Sequence, residues 1–547
     1  MTTFSDRSPV RVGQARGIAL SGVSGTPVTV ECDISRGLPG MSIVGLGDTA
    51  VVQARDRVRS AMINSGLDWP RSRVVMSLSP ASVPKRGSGF DLPMVMAILA
   101  AQGVVPSGNP RATVVVGELG LDGTVRPVDG VLPMLMAADG AGFLRAAVPR
   151  ANAVEASRAA RVTGLEVVGL SHLRELVPWL RGELPEGHGG DSLSCDGEWR
   201  DGRRDGLPDA AQSCPPPDLA EVCGQAEARR GLEIAAAGGH HLWLSGPPGS
   251  GKSMLAERLP GILPPLQESE QLESAAVHSV AGARDRLERV WRGERPFVAP
   301  HHSVTRAALT GGGAGRIRPG AVSIAHNGVL FIDEAPEVAA GTLELLRTPM
   351  ETGRIEVARH HGTVVFPARF QLVLASNPCP CGAAEPADCR CRGGVRDRYL
   401  QRLSGPLLDR VDLSVRTRAE ATAGLVPVTD GAGPAPESSD RVRERVVEAR
   451  RRAVHRWGRW SSNASVPGPF LRRGHPADDA GMAVLQEKLR SGVVSHRGVD
   501  RTLRVAWTMA DLEGAARPGV SAVLDALEMY TGPVDRDRAR GTWTRGT

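Results

Sequence analysis

The sequence predicts an α/β protein whose central domain is a doubly wound parallel sheet with a nucleotide site at one edge. Residues 240–245 read as a short buried strand that runs into a glycine-rich loop. Residues 329–332 read as a second apolar strand, and two carboxylates, Asp333 and Glu334, follow it. Strands that are apolar throughout belong to parallel sheets buried on both faces, and ligands bind outside the carboxyl ends of such strands.

The glycine-rich loop matches the G-x-x-x-x-G-K-[ST] pattern of phosphate-binding loops. Its glycines let backbone N–H groups point at phosphates, and the following helix presents its positive N-terminal end. We expect Lys252 to reach the β- and γ-phosphates of ATP and Ser253 to ligate Mg²⁺. Lys252 is one of only three lysines in an arginine-rich chain, which favours a site for a compact ammonium. The predicted cofactor-binding residues are Gly246, Pro247, Pro248, Gly249, Ser250, Gly251, Lys252 and Ser253.

The two carboxylates after the second strand complete this chemistry. Asp333 would hold Mg²⁺, and Glu334 would orient or deprotonate the attacking water. Taken alone, residues 329–334 also fit a core strand that ends in a surface acidic pair. The phosphate-binding loop upstream favours the catalytic interpretation.

Length and composition restrict the class of protein. The 547 residues are enough for several cores, and we expect three domains. No apolar run approaches the ~20 residues needed to cross a bilayer, and residues 1–7 lack the pattern of an export signal. These features predict a cytoplasmic protein. A net charge of +6 is a mild sign of an anionic partner, whereas 3% aromatic residues argue against base stacking as the main contact.

Four of the eight cysteines lie together as two C-x-C pairs separated by seven residues. Four thiolates at this spacing can bind a tetrahedral Zn²⁺ and pin a loop, and free thiols are the alternative. A catalytic zinc is not expected, because four sulfur ligands leave no open position. The candidate ligands are Cys379, Cys381, Cys389 and Cys391.

Two polar stretches rich in Gly and Pro divide the chain. The predicted order is a first domain at 1–181, a linker at 182–218, the nucleotide domain at 219–425, a linker at 426–440, a helical domain at 441–535 and a tail at 536–547. Hydrophobic spacing predicts first-domain strands at 28–34, 73–78 and 112–117 and a helix at 48–64. It also predicts C-terminal helices at 441–457, 478–490, 497–513 and 520–530.

Two segments of the nucleotide domain resemble motifs of AAA+ ATPases. Residues 370–378 read as an apolar strand ending in Asn377, where that superfamily places a polar residue that positions the attacking water. Residues 405–413 resemble the segment that carries the arginine finger of the helix-2-insert branch. The resemblance implies that Arg410 reaches the nucleotide of a neighbouring subunit in a ring.

Alternatives remain for the arginines. Arg410 could instead form a helix-end salt bridge with Asp409 or Asp412. In the C-terminal helices, Arg497 and Arg504 are candidates for the lid arginine that contacts the γ-phosphate in cis, with Arg504 slightly favoured.

Further motifs make the chain similar to the magnesium-chelatase-like AAA+ ATPases of the ComM/YifB type. They lie at 37–46 in the first domain and at 295–303, 311–313, 318–320, 325–328 and 377–382. The resemblance covers nearly the whole chain and implies a hexameric, ATP-driven DNA motor. Such a helicase would migrate branches during homologous integration of incoming single-stranded DNA, with recombination or DNA-loading proteins as possible partners.

The same resemblance implies two DNA-gripping elements in the central pore. One is the insertion at 301–318, and the other is the hairpin at 354–362, where Arg359 would contact phosphates. His301 and His302 could instead be a structural pair that pins the insertion, and a histidine metal site is a weaker alternative.

The first domain resembles the proteolytic domain of Lon-type peptidases, an α+β fold of the S5 type. Residues 84–91 and 116–133 resemble the segments that carry its serine nucleophile and lysine base. An ungapped match places Gly89 at the serine position and Leu132 at the lysine position, and leucine cannot accept a proton. We therefore expect a collar without peptidase activity. A shifted match would pair Ser88 with Lys85, which lie too close in sequence to mimic the expected pair.

Two other function classes are compatible with parts of the chain. A magnesium-chelatase motor subunit would drive metal insertion into a porphyrin on a partner enzyme, but the Lon-like domain and the four-cysteine loop look foreign to it. An ATP-dependent peptidase is disfavoured by Leu132. Neighbouring genes for tetrapyrrole synthesis or for DNA processing would discriminate the chelatase subunit from the DNA motor.

Overall fold

A computed structural model describes most of the chain in three successive groups of elements. The described residues are 12–45, 49–85, 87, 89–105, 112–183, 217–313, 317–359, 362–383, 388–392, 394–418 and 436–530. Most of the predicted linker at 182–218, part of that at 426–440, and the tail at 536–547 lie outside these residues. Within the described part of the chain, no helix is both long and apolar enough to cross a membrane.

The first group, made up of the described residues between 12 and 183, forms two larger sheets and five α-helices. A mixed sheet has the order β1-β2-β4-β3, and a parallel sheet has the order β5-β8-β9. The strands are Val12–Ser21 (β1), Ser24–Ser35 (β2), Gly40–Val44 (β3), Arg73–Ser79 (β4), Thr113–Val115 (β5), Glu118–Leu119 (β6), Val125–Arg126 (β7), Arg145–Pro149 (β8) and Glu166–Leu170 (β9). The helices are Thr49–Asn64 (α1), Asp91–Ala101 (α2), Val131–Gly140 (α3), Ala153–Thr163 (α4) and Leu176–Arg181 (α5).

The segment predicted to lack peptidase chemistry is packed as core. Leu132 on α3 is 0% exposed, and its N–H donates to Glu155 Oε1 at 2.7 Å. Lys85 is also fully buried, and its ammonium donates to the Pro80 carbonyl. Ser88, the other half of the shifted match, lies outside the described residues. A lysine base therefore has no counterpart at the Leu132 position.

The second group, residues 217–418, is built on a parallel sheet with the order β11-β14-β17-β10-β18. Its strands are Leu242–Ser245 (β10), Phe297–Val298 (β11), Gly311–Gly312 (β12), Arg318–Pro319 (β13), Gly328–Ile332 (β14), Arg354–Arg359 (β15), Gly362–Pro367 (β16), Phe370–Ser376 (β17) and Leu413–Arg416 (β18). Its α-helices are Ala226–Gly238 (α6), Lys252–Ile262 (α7), Glu268–Ala281 (α8), Arg284–Trp291 (α9), Arg306–Thr310 (α10), Ala321–Ile324 (α11), Ala340–Leu343 (α12), Arg347–Thr352 (α13), Val395–Leu400 (α14) and Gly405–Leu408 (α15).

The register of the central strands aligns their carboxyl ends. Every residue of β10, β14 and β17 is buried, as expected for strands covered on both faces. Ser245 of β10 pairs with Ser376 of β17, and Ile332 of β14 pairs with Leu374. The residues that follow these three strands therefore meet at one edge of the sheet.

The third group is helical, as the sequence predicts. Its helices are Ser439–Trp457 (α16), Gly468–Gly474 (α17), Asp479–Arg490 (α18), His496–Glu513 (α19) and Val520–Tyr530 (α20). Four of them match the predicted spans to within two residues at each end. Ser438, Asp478 and Ser495 act as N-caps, because their side chains accept hydrogen bonds from the first turns of α16, α18 and α19.

Buried polar contacts join the first and second groups. The Ser279 hydroxyl on α8 donates to Glu155 Oε1, the atom that also accepts the Leu132 N–H. The Gly130 N–H donates to the Ser279 carbonyl at 3.0 Å. Because Glu155 and Ser279 are both almost fully buried, the hydrogen bond between them belongs to the core rather than to a solvated interface.

A pH dependence of stability follows from His278 on α8. Burial, with the charges of Arg286 and His326, lowers the pKa of His278 from 6.5 to about 4. The folded state therefore binds this proton less well than the unfolded state, so stability is complete above pH 6.5 and is lost as the pH falls towards 4. The loss at pH 5 should be about 2 kcal/mol. Thermal midpoints from pH 7.5 to 5 measure it.

His278→Leu should reduce this pH dependence. His455→Leu changes an exposed histidine and should leave it intact. Parallel pH profiles for wild type and His278→Leu would contradict the assignment.

Candidate nucleotide-binding site

The phosphate-binding loop spans residues 246–251, between the end of β10 and the start of α7. Gly249 and Gly251 have φ values of 74° and 81°, which favour glycine. Gly246 meets a different constraint, because a Cβ there would lie 2.0 Å from Thr417 Oγ1. The Ser250 hydroxyl is 2.6 Å from the same Thr417 oxygen. The loop is thus held by backbone conformation and by the segment after β18.

Lys252 is the first residue of α7, and its side chain folds back onto this loop. Its Nζ donates to the carbonyls of Gly246 and Pro247, both at 2.8 Å, and to Asn377 Oδ1 at 3.2 Å. Burial lowers the pKa of Lys252, while the charges of Asp333 and Glu334 oppose that shift. The predicted phosphate ligand and the predicted water-positioning residue are therefore in direct contact, although 125 positions separate them.

Ser253 and Asp333 form the predicted Mg²⁺ pair. The Ser253 hydroxyl donates to Asp333 Oδ2 at 2.7 Å, and Asp333 Oδ1 accepts the Glu334 N–H at 2.9 Å. A hydroxyl and a carboxylate oxygen at this separation fit Mg²⁺, which takes a few protein oxygens together with phosphate oxygens and water. These two side chains would hold the ion, and the ion would neutralise charge on the phosphates.

Glu334 has a contact that the sequence did not predict. Its side chain is half exposed and lies 3.1 Å from His302 Nδ1. The backbone of Glu334 has a φ of 47°, which is uncommon for a residue with a side chain. The His301 and His302 ring centroids lie 4.0 Å apart with the rings tilted by 36°, and His301 Nδ1 is 2.8 Å from the Ser303 hydroxyl. The histidine pair thus joins the start of the 301–318 insertion to the predicted catalytic base.

Arg410 lies at the other edge of the same sheet. It lines a cavity of about 390 Å³ together with Arg497, Arg504 and His241. His241 precedes the first residue of β10, whereas the phosphate-binding loop follows the last one. Four residues of parallel strand span about 13 Å. The cavity therefore lies at the amino edge and Lys252 at the carboxyl edge.

This placement corrects two expectations. Arg410 pairs with Glu351, not with Asp409 or Asp412, and its Nη1 donates to the Pro406 carbonyl at 2.5 Å. A contact of Arg497 or Arg504 with the nucleotide of the same chain does not fit the structure, because both arginines share the amino-edge cavity with Arg410. The orientation of the helical group, which no motif encodes, decides this.

Arg501 is a member of this cavity that sequence reasoning missed. Its guanidinium is 3.9 Å from Asp412 Oδ1 and 5.8 Å from the Tyr530 ring centroid, and burial lowers the pKa of Arg501. Burial also opposes ionisation of Asp412, but a hydrogen bond from His240 and nearby positive charges outweigh it and lower the pKa of Asp412 to about 2. The i, i+4, i+7 spacing of Arg497, Arg501 and Arg504 places them on one face of α19, and this pattern could have identified Arg501 from the sequence.

The four cysteines form one cluster beside the nucleotide site. Their Sγ atoms all lie within 4.8 Å of one another, and Cys379 is fully buried. The loop that carries them begins directly after Asn377 and Pro378. A hydrogen bond from Cys379 and backbone N–H groups lower the pKa of Cys381 to about 6, whereas burial raises the pKa of Cys379. The predicted grouping of these ligands is therefore present in the fold.

The two predicted DNA-gripping elements are only partly described. Antiparallel β15 and β16 form the expected hairpin, with Arg359 paired to Gly362. His360 and His361 lie outside the described residues, as do residues 314–316 of the insertion. The side chain of Arg318, at the end of the insertion, is 64% exposed and lies 3.8 Å from Asp129.

Family models match three consecutive parts of the chain. The model of subunit ChlI of Mg-chelatase matches residues 30–152, the model described as magnesium chelatase, subunit ChlI, matches 218–425, and the model of the C-terminal part of that subunit matches 436–530. These matches place a chelatase-type AAA+ ATPase module on the part of the chain that holds Lys252, Asp333 and Asn377.

Relatives match over nearly their whole length. An uncharacterized protein of Mycobacterium tuberculosis is 48% identical over 518 residues, 94% of this chain and 98% of the relative. YifB of Escherichia coli is 40% identical over 495 residues, 90% of this chain and 92% of the relative. Competence protein ComM of Haemophilus influenzae is 37% identical over 502 residues, 91% of this chain and 93% of the relative.

A shorter match concerns another family. A Lon protease of Mycolicibacterium smegmatis is 32% identical over 148 residues, 26% of this chain and 18% of the protease. This match supports the Lon-like part of the fold. With an AAA+ nucleotide site and full-length relatives of both names, the chain belongs to the magnesium-chelatase-like ATPases of the ComM/YifB type.

Proposed function

We propose that this protein is an ATP-driven DNA motor that works as a hexameric ring, with helicase or branch-migration activity. The ring is supported by the positions of the predicted catalytic groups, which are divided between the carboxyl edge and the amino edge of one sheet. Lys252, Asp333 and Asn377 lie at the carboxyl edge, and Arg410 lies at the amino edge. One subunit thus supplies the nucleotide pocket, and a neighbour supplies the arginine.

ATP with Mg²⁺ is the proposed cofactor pair, and Zn²⁺ is proposed at the four cysteines. Lys252 binds the phosphates, Ser253 and Asp333 hold Mg²⁺, and Glu334 activates water that Asn377 orients. Arg410, assisted by Arg497 and Arg504, stabilises charge on the phosphates of the neighbouring subunit. The side chains of Arg497 and Arg504 have this role in trans, since they share the cavity with Arg410.

DNA is the proposed substrate of the motor. The relative named competence protein ComM supports a role in the integration of incoming DNA or in recombination more generally. The predicted grip is independent of base sequence, because the 301–318 insertion and the β15–β16 hairpin offer arginine charge and few aromatic side chains. Recombination or DNA-loading proteins are the proposed partners, and the cytoplasm is the proposed location.

A chelatase-type motor is the second candidate function, and the family descriptions favour keeping it. In that case a partner enzyme, not DNA, would receive the work of hydrolysis. The four-cysteine loop argues against it, whereas the first domain does not discriminate, because the model of subunit ChlI of Mg-chelatase also matches residues 30–152.

Lys252→Ala should abolish ATP-dependent function. Removal of the ammonium takes away a charge contact with the phosphates and a hydrogen bond to Asn377, so hydrolysis should fall at least ~10²-fold. A steady-state phosphate-release assay measures it. Lys488→Ala, at the exposed end of α18, is the matched control. Normal turnover in Lys252→Ala would refute the site assignment.

Arg410→Ala should still bind ATP but hydrolyse it ~10³-fold more slowly, because the arginine acts on a neighbour. Mixing Arg410→Ala with Lys252→Ala subunits should restore some hydrolysis, since such rings contain an intact pocket facing an intact arginine. Glu351→Gln releases the ion pair of Arg410 and should retain activity. Full hydrolysis by Arg410→Ala would exclude the role in trans.

DNA should stimulate hydrolysis. We expect single-stranded or branched DNA to raise the rate in wild type but not in Lys252→Ala, with a stimulation that weakens steeply as salt increases. Hydrolysis that depends on Lys252 but ignores DNA at low salt would favour the chelatase-type motor.

A further inference from the structure

We propose that the four-cysteine loop is a zinc-closed brace for the phosphate-binding loop, so that metal occupancy sets the affinity for ATP. The inference rests on the nucleotide and zinc sites proposed above and adds a coupling between them. It concerns nucleotide binding alone and does not depend on what the motor acts on.

The cluster has the dimensions of a mononuclear zinc site. Zinc–sulfur bonds of about 2.3 Å in a tetrahedron put sulfur atoms about 3.8 Å apart. The Cys381–Cys389 and Cys379–Cys389 Sγ separations are 3.7 and 3.8 Å, and the 3.0 Å between Cys379 and Cys381 needs only a small opening. Backbone N–H groups of Ala383 and Arg390 donate to Cys381 Sγ. Such bonds stabilise thiolates and orient them for a metal.

The cross-link would close the connection between β17 and α14. Cys379 and Cys381 lie near the start of this connection, and Cys389 and Cys391 lie near its end, before α14 begins at Val395. Of residues 377–394, 13 are described, and none of these belongs to an α-helix or a strand. Four sulfur–metal bonds would therefore supply the order that backbone hydrogen bonds supply elsewhere.

One end of the loop packs on the phosphate-binding loop. A tight turn forms where the Gly382 N–H donates to the Cys379 carbonyl at 3.0 Å, with a φ of 75° at Gly382. A Cβ on Gly382 would lie 2.8 Å from Cγ of Pro248. The turn that holds two of the four sulfurs thus lies directly against a residue of the phosphate-binding loop.

The same end of the loop begins at Asn377, directly after β17. Its Oδ1 accepts from Lys252 Nζ, and its backbone N–H donates to the buried Tyr399 hydroxyl of α14. Cys379, two residues later, is fully buried. Metal binding at the sulfurs would therefore restrain both Pro248 and Asn377. Pro248, in the phosphate-binding loop, precedes Lys252, and Asn377 accepts a hydrogen bond from the Lys252 ammonium. Loss of the metal would free both.

The first experiment measures metal and nucleotide on the full-length protein. Elemental analysis of protein purified without metal-affinity steps should find about one zinc per chain. Extraction with a mercurial reagent and a chelator should weaken binding of a fluorescent ATP analogue with Mg²⁺ at least tenfold. Zn²⁺ should restore the affinity, whereas additional Mg²⁺ should not. Circular dichroism checks that the extracted protein stays folded.

Variants separate the metal from the contact. Cys389→Ser and Cys391→Ser remove ligands that are partly exposed and should lose zinc and ATP affinity together, while Cys223→Ser, an exposed cysteine elsewhere, should change neither. Pro248→Ala should keep the zinc but bind ATP more weakly, and extraction of its zinc should weaken binding less than in wild type. This last variant keeps the test valid even where ligand variants misfold.

Two results would overturn the brace. One is protein that holds no zinc as purified and takes up none from added Zn²⁺. The other is protein whose ATP affinity stays within twofold of wild type after complete zinc extraction. DNA-independent hydrolysis would instead count only against the DNA motor, so the two proposals fail separately.

Discussion

The position of β17 between β14 and β10 is the constraint on which the nucleotide site depends. In a parallel sheet, neighbouring strands lie about 4.8 Å apart and their carboxyl ends point the same way. The register brings the ends of these three strands to one edge. As a result Lys252 after β10 reaches Asn377 after β17, and Ser253 reaches Asp333 after β14. None of these contacts needs a special loop beyond the glycines that let residues 246–251 turn.

That constraint also explains what could be predicted from the sequence. Asp333 and Asn377 directly follow buried strands, and Lys252 and Ser253 follow the glycine-rich loop after β10, so the sheet places all four at one edge. The Ser253–Asp333 and Lys252–Asn377 contacts could therefore be predicted from the sequence. The C-terminal helices were predictable for a local reason, because Ser438, Asp478 and Ser495 mark their starts. Contacts such as His302–Glu334 and Arg410–Glu351 depend on how insertions and helices pack in three dimensions. Nothing in the local pattern of those residues specifies the partner.

The first domain illustrates how a catalytic framework can become a packing surface. At the position where the Lon resemblance expects a lysine base, Leu132 is fully buried and its N–H is bound to Glu155. The same carboxylate oxygen accepts the Ser279 hydroxyl from the nucleotide module. Burial raises the pKa of Glu155, and hydrogen bonds from Ser279 and the Leu132 N–H oppose that rise. The Leu132 side chain itself belongs to an apolar cluster, where the ammonium of a lysine would be costly to bury without a partner.

The position of the arginine cavity determines which surfaces of neighbouring subunits face each other in the proposed ring. Arg410, Arg497, Arg501 and Arg504 lie at the amino edge of a sheet whose carboxyl edge holds the phosphate-binding loop. Two different surfaces of one subunit must therefore meet in the proposed assembly, and repeated head-to-tail contact of this kind closes into a ring when the rotation permits. Arg410 is held by Glu351, Arg501 by Asp412, and Arg504 by the Val466 carbonyl. Phosphates from a neighbouring subunit would compete with those partners for the arginines. The buried Asp412 would hold Arg501 in position, so that its positive charge stays beside the arginines that change partners.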